Sequence, residues 1–214
     1  MAPNRSLEIL IATGNPGKIQ EIQAALTSLP IKLRYLEEFQ NISTIAEVGH
    51  TYEDNAVLKA LGYAKQTGLC ALADDSGLEV DALNGMPGVF SARFGGDHAS
   101  DQQRIEKLLS VLSEQGGQSP TAHFVCCMVL AGWRSTADQF DKAEPILLRV
   151  TEAKCEGVIT TAQRGEGGFG YDPIFVPAGY DATFAELPAA TKAKISHRAL
   201  ALEAMREFLV HWLT

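Results

Sequence analysis

Cysteine is scarce and unpatterned: Cys70, Cys126, Cys127 and Cys155 are the four in 214 residues, and no pair has a Cys-x-x-Cys spacing. That gives no basis for metal ligation, and structural thiols in a reducing cytosol are the expectation. Long apolar runs are also missing, so no segment is suited to span a bilayer and no membrane partner is expected. The opening residues 1–6, Met-Ala-Pro-Asn-Arg-Ser, lack the apolar core of a signal peptide and read as a flexible lead-in. Positive charge is in deficit: 18 Lys and Arg face 26 Asp and Glu, a net charge of −8. This argues against non-specific or stable nucleic-acid binding, and an anionic substrate would need local donors and a cation. There is no internal repeat and no low-complexity linker to separate domains. A chain of this length can bury one sizeable core, as a single domain or as two lobes that share it.

What is present is an alternation of strand and helix signals. Leu7 to Ala12 reads as a buried strand, Thr13 to Gly17 as a turn, and Ile19, Ile22, Leu26 and Leu29 recur at helical spacing from Lys18 until Pro30. Lys32 to Leu36 reads as a second strand. Thr51 with Asp54 marks a helix start, running to about Thr67 with Gly68 closing it, and Ser100 with Gln103 opens another that Gly116-Gly117 ends. Ala122 to Trp133 and Ile146 to Ala162 have the composition of strands, the second broken near Gly157, with Arg134 to Glu144 as an exposed connection. A closing helix starts near Ser196, with Leu202, Met205, Leu209 and Trp212 as its buried stripe. Helix and strand alternate early and strands dominate late, so a mixed α/β sheet is expected.

Ala73-Asp74-Asp75-Ser76-Gly77 follows the apolar run Leu69 to Ala73 and reads as the abrupt end of a buried strand, with Leu78 to Val80 as a possible return. Two neighbouring acids repel unless a cation, a proton or a donor relieves them, which suggests a divalent metal or a general base. The alternative is an Asx turn whose side chains satisfy local amides.

Three further stretches carry chemistry. Thr13-Gly14-Asn15-Pro16-Gly17-Lys18 puts backbone amides and a lysine at a helix N-terminus, suited to a phosphate; it is too short for a Walker A loop and has no following hydroxyl. A tight strand-to-helix turn is the competing reading. Asn55 and Lys59 share a helix face, as exposed polar pairs also do, and Glu47 is either a remote metal ligand or a solvated loop acid. Gly167 to Asp172 joins glycines, Phe169, Tyr171 and Asp172, a set able to approach, stack on and read a flat ligand, or else a surface loop with one ring tucked inward. Lys192 to Arg198 gathers donors at an expected helix start, where basic groups oppose the helix dipole unless an anion sits there; His197 alone is a weak signal for catalysis.

These blocks occur together in a known order. Thr13-Gly14-Asn15-x-Gly17-Lys18, Glu47, Glu53-x-Asn55-Ala56-x-x-Lys59-Ala60, Ala73 to Leu78, Pro87-Gly88-x-x-Ser91-Ala92-Arg93, Gly168 to Pro173 and Ser196-His197-Arg198 resemble the inosine triphosphate pyrophosphatase family from Leu7 to about Trp212. Asp54 departs from an apolar residue in a bacterial relative and leaves the flanking matches intact. The resemblance implies an elongated mixed α/β domain over 1–214, with two lobes, a cleft between them and a homodimer in the cytoplasm. It implies Mg2+, with Glu47 and Asp75 as ligands and Asp75 also as the base that takes a proton from water. Thr13, Gly14, Asn15, Pro16, Gly17, Lys18, Ser76 and Lys59 would hold the triphosphate of a purine nucleotide. Phe169, Gly170, Tyr171, Asp172, Lys192, His197 and Arg198 would bind the nucleoside and select its base. Lys194 has no assigned counterpart. The implied reaction converts ITP, dITP or XTP to the monophosphate and pyrophosphate. A pyrimidine-directed pyrophosphatase, a nucleotide sensor without turnover, and a glycosidase using paired carboxylates are the rival expectations.

Overall fold

The computed structural model describes residues 7–96, 98–115, 119–133 and 144–213. The expected flexible lead-in 1–6, the Gly116-Gly117 stop and the bulk of the expected connection, 134–143, lie outside the described residues. The strands are β1 (Leu7–Ile11), β2 (Ile31–Tyr35), β3 (Cys70–Val80), β4 (Thr121–Gly132), β5 (Ile146–Ile159) and β6 (Phe175–Pro177). The helices are α1 (Pro16–Leu26), α2 (Tyr52–Thr67), α3 (Asp101–Glu114), α4 (Ala189–Ile195) and α5 (His197–Leu213). The six strands follow the order β2-β1-β3-β4-β5-β6. β1 runs parallel to β2 and β3, with Ile9 opposite Leu33 and Cys70, while β5 and β6 are antiparallel. The sheet is therefore mixed, as the sequence pattern leads one to expect. No helix of the described residues is long and apolar enough to cross a membrane.

Helix boundaries follow local chemistry. Asn15 caps α1 by accepting from the Lys18 backbone N–H at 3.2 Å, and Pro16 fills the first helical position, so the helix begins two residues before the apolar spacing suggests. Thr51 and Asp54 form a reciprocal capping box on α2, and Gly68 ends that helix at φ 70°. Asp54 thus has a role of its own: hydrogen bonds from Thr51 hold its carboxyl below the ordinary range. Ser100 and Gln103 cap α3 in the same way.

Three expectations are corrected. β3 is unbroken from Cys70 to Val80, so Asp74, Asp75, Ser76 and Gly77 lie inside a strand and not at its end. The turn-like composition is overridden because partners from elsewhere satisfy these polar groups, as described below. β5 likewise runs through Gly157, where a Cβ would collide with the Val176 carbonyl and the Phe175 ring of β6; the glycine permits close pairing and breaks nothing. Finally, Lys192 and Lys194 lie in the last turn of α4, a helix absent from the sequence reading, where their charge agrees with the helix dipole. Only His197 and Arg198 stand at a helix start, that of α5.

The chain forms two compact units. The first comprises residues 1–75, 127–152 and 201–214, the second 76–126 and 153–200. In the first, Ile9, Leu10, Ile11, Leu72, Met128, Val129 and Leu130 are fully buried, each contributing roughly 1.5–3 kcal/mol relative to exposure. In the second, α3 supplies Ile105, Leu108 and Leu112 to a core with Leu78, Val80 and an aromatic group. Phe124 lies 4.7 Å from Phe175 and 6.1 Å from Phe184 between ring centroids. All four cysteines are buried.

Candidate active site

In the first unit, two adjacent carboxylates on one strand have separate partners. Successive side chains of a strand point to opposite faces, so Asp74 and Asp75 do not confront each other. Lys18, in the first turn of α1, reaches Asp74 Oδ2 at 2.7 Å, and the Asp74 side chain has no solvent exposure. On α2, Asn55 Nδ2 donates to Asp75 Oδ2 at 2.9 Å. Lys59 Nζ donates to Glu47 Oε1 at 2.5 Å and to the Asp74 carbonyl at 2.6 Å, and stands 3.9 Å from Asp75 Oδ1. Asn55 and Lys59 are buried, not an exposed polar pair, because one turn of α2 faces the middle of β3.

The Asn55 amide has one sensible orientation. Its Oδ1 accepts from the Gly49 backbone N–H at 2.8 Å, a group that can only donate, so its NH2 faces Asp75. The same side chain thereby holds the segment that carries Glu47. Gly49 has to be small there, since a Cβ would meet Asp54 Cβ at 2.5 Å and Asn55 Oδ1 at 2.8 Å.

Burial pushes the Asp75 carboxyl up, opposed by the Lys59 charge and the Asn55 hydrogen bond, and the net shift is upward. For Lys59, burial alone favours the neutral amine; the charges of Asp74, Asp75 and Glu47 outweigh it and raise the pKa. Removing this lysine would take from buried Asp75 the ammonium that offsets its charge, the costly way to break a buried ion pair. Thr13 Oγ1 accepts from Asn15 N at 3.2 Å, and Gly14, Asn15 and Pro16 remain exposed at the mouth of α1.

The donor set suits a hard divalent cation. Magnesium is ordinarily held by one or two carboxylates together with phosphate oxygens, and Glu47 and Asp75 both face the Lys59 ammonium, which marks where positive charge is stable. Among the described residues no three His, Cys, Asp or Glu side chains gather as a complete metal cage.

The second unit holds the other expected residues. Arg198 Nη2 donates to Ser76 Oγ at 2.8 Å, and Arg198 is 2% exposed. The Phe169 ring has Lys192 Nζ at 4.7 Å and the Arg198 guanidinium carbon at 5.6 Å from its centroid. Asp172 Oδ2 accepts from Lys192 Nζ at 2.6 Å and from the Phe169 backbone N–H at 2.9 Å, fixing the lysine and the ring together. Gly168 stands at φ 74° with no room for a Cβ beside that carboxylate. His197 is buried and stacks on Phe124 at 4.6 Å and 9°.

Two expected ligand contacts are engaged by other groups of the protein. The Tyr171 hydroxyl donates to the Ser91 carbonyl at 2.9 Å, and burial raises its pKa. The Gly170 N–H donates to Asp101 Oδ2 at 2.6 Å. Asp101 received no role from the sequence, while Asp74 was read there only as one of two acids in need of a cation and Asn55 only as a helix-face neighbour of Lys59. For Asn55 a signal was available in its spacing from Lys59; Asp101 carries only the mark of a helix first turn.

A model of the Ham1 family matches residues 9–208. The chain is 47% identical over 208 residues to a dITP/XTP pyrophosphatase of Syntrophobacter fumaroxidans, covering 96% of this chain and 84% of that one. It is 40% identical over 205 residues to a dITP/XTP pyrophosphatase of Bacillus anthracis, covering 96% and 97%. A HAM1 protein structure from Coxiella burnetii superposes with a TM-score of 0.83 at 42% identity, covering 96% and 99%. The Staphylococcus aureus Ham1 protein gives 0.79 at 37%, covering 95% and 98%. Motif order, strand order and these matches span the same stretch of sequence, and the chain belongs to the Ham1 family.

Proposed function

We propose that this chain is a nucleoside-triphosphate pyrophosphatase that converts ITP, dITP and XTP to the monophosphate and pyrophosphate, keeping deaminated purines out of DNA and RNA. The observation that carries the reading is Asp75, a buried carboxylate raised in pKa and held by Asn55 beside Lys59. Dimeric operation in the cytoplasm belongs to the same proposal and is supported by family membership.

Lys18 and Lys59 would neutralise and orient the triphosphate, with the exposed amides at the start of α1 as additional donors. Asp75 would accept a proton from the water whose oxygen attacks the α-phosphorus. The bond from that phosphorus to the bridging oxygen then breaks, and pyrophosphate leaves with the electron pair. A buried base with a raised pKa is closer to the operating pH and transfers protons more effectively. A magnesium ion held by Glu47 and Asp75 would supply charge neutralisation for the triphosphate and the leaving group.

In the second unit, Phe169 would stack on the base, while Lys192 and Arg198 present donors around the ring. Inosine and xanthosine offer a 6-oxo acceptor there, whereas adenine offers a 6-amino donor and leaves a buried donor unpaired, at a cost of about 1–3 kcal/mol.

Phosphorus NMR of the protein with ITP and magnesium, beside ATP and GTP, tests the reading. Pyrophosphate and IMP from ITP, with little product from the others, is the expected outcome. Orthophosphate and IDP would place attack at the γ-phosphorus and overturn the mechanism; no turnover by folded, magnesium-loaded protein would overturn the function.

A further inference from the structure

The loop carrying Phe169 is secured at the two residues that follow the ring. Gly170 N–H donates to Asp101 Oδ2 at 2.6 Å, and Tyr171 Oη donates to the Ser91 carbonyl at 2.9 Å. Asp101 is itself fixed, since its Oδ1 accepts from Arg104 Nη2 at 2.7 Å while Arg104 Nη1 donates to the Ala92 carbonyl at 3.1 Å. Ser91 is equally tied down: its hydroxyl donates to the Gly88 carbonyl at 2.6 Å and accepts from the Leu78 N–H at 2.9 Å. The first turn of α3 and the 3-10 segment Gly88–Arg93 therefore form one hydrogen-bonded frame, and residues 170 and 171 hang from it.

Gly170 at φ 62° shows why an anchor is needed there. Its backbone has an open choice of conformations, and nothing lies within 4 Å of where a Cβ would be, so sterics alone do not hold it. The Asp101 carboxylate oxygen, by accepting from the Gly170 N–H, favours the conformation seen. It acts together with the Asp172 carboxylate, which accepts from the Phe169 N–H at 2.9 Å, on the residue whose ring lies beside Lys192 and Arg198.

We infer that Asp101 is a specificity-positioning residue: it touches no substrate and sets, through Gly170, where the Phe169 ring meets the base. The inference rests on the proposed purine-nucleotide function. A frame that places a stacking ring governs how well the correct base is held, and leaves proton transfer at Asp75 untouched. Asp101→Ala removes the acceptor, and Asp101→Asn keeps an oxygen for the Gly170 N–H while losing the charge pair with Arg104.

The test combines kinetics with hydrogen exchange on the full chain. Asp101→Ala is expected to raise KM for ITP about tenfold with kcat within about twofold, and to erode the ITP-over-ATP ratio of kcat/KM by a similar factor. Amide exchange at residues 168–171 should accelerate in the same variant, and Asp101→Asn should restore KM, ratio and protection. Tyr171→Phe, which removes the companion anchor and keeps the ring, should move the ratio in the same direction. An unchanged KM and ratio in Asp101→Ala, or an Asp101→Asn variant as impaired as Asp101→Ala, overturns the inference while leaving ITP turnover by the unsubstituted protein intact. Absence of that turnover overturns the functional reading and the inference together.

Discussion

Asp75 is acted on by burial, which raises its pKa with help from the Glu47 charge, and by an ammonium 3.9 Å away and an amide hydrogen bond, which lower it. Replacing it by Asn keeps the shape and abolishes the proton acceptor. Asp75→Asn should lower kcat by about 10²- to 10⁴-fold, the usual worth of a positioned base. Binding should suffer far less, as calorimetry with the nucleotide and stopped turnover would show. Turnover equal to that of the unsubstituted protein would remove Asp75 from the reaction. At this scale the sequence was legible in kind and not in pairing. Adjacent acids announce a need for positive charge, but whether one cation or two answer it depends on α1 and α2 approaching β3, which no local pattern encodes. Asp101 was illegible for the same reason: a first-turn acid looks alike whether or not a distant glycine N–H is aimed at it.

Elements were readable where their ends have chemistry of their own. The capping boxes of α2 and α3 and the left-handed Gly68 depend on residues three or four apart, and each marked the helix boundary found in the structure. β3 misleads because Asp-Asp-Ser-Gly has the composition of a turn, and partners distant in sequence, Lys18, Asn55, Lys59 and Arg198 among them, make that composition tolerable inside a sheet. The seven-residue α4, preceded by Pro188 with no side-chain cap, offered no start signal. Gly157 gives an element-scale prediction. An alanine there has ordinary strand propensity, yet its methyl would run into β6, so Gly157→Ala should destabilise by about 1–3 kcal/mol, the range for overpacking. Urea unfolding would register this as a lower midpoint at constant slope, and an unaltered midpoint would mean that β6 yields freely.

For the molecule as a whole, alkaline pH should be the vulnerable side. Burial, aided by nearby acids including Glu152, pushes the Cys127 thiol up to about 12, and burial pushes Cys155 up to about 11. An unfolded thiol ionises near pH 8.5. Above that point the unfolded chain has lost protons that the folded chain retains, so stability falls as pH rises towards the folded values. Each thiol contributes a slope of about 1.4 kcal/mol per pH unit through that window. Denaturant midpoints between pH 8 and 10.5 would measure the slope, and a Cys127→Ala, Cys155→Ala double variant should flatten it; an identical slope in that variant would assign the effect elsewhere.

Because every native thiol is shielded, with none of the four more than 7% exposed, the folded protein is already a host for site-directed labelling. A single cysteine introduced at an exposed position such as Gln102 would be the one rapidly reactive sulfur. A fluorophore or spin probe could then be attached without first stripping the natural cysteines from the chain.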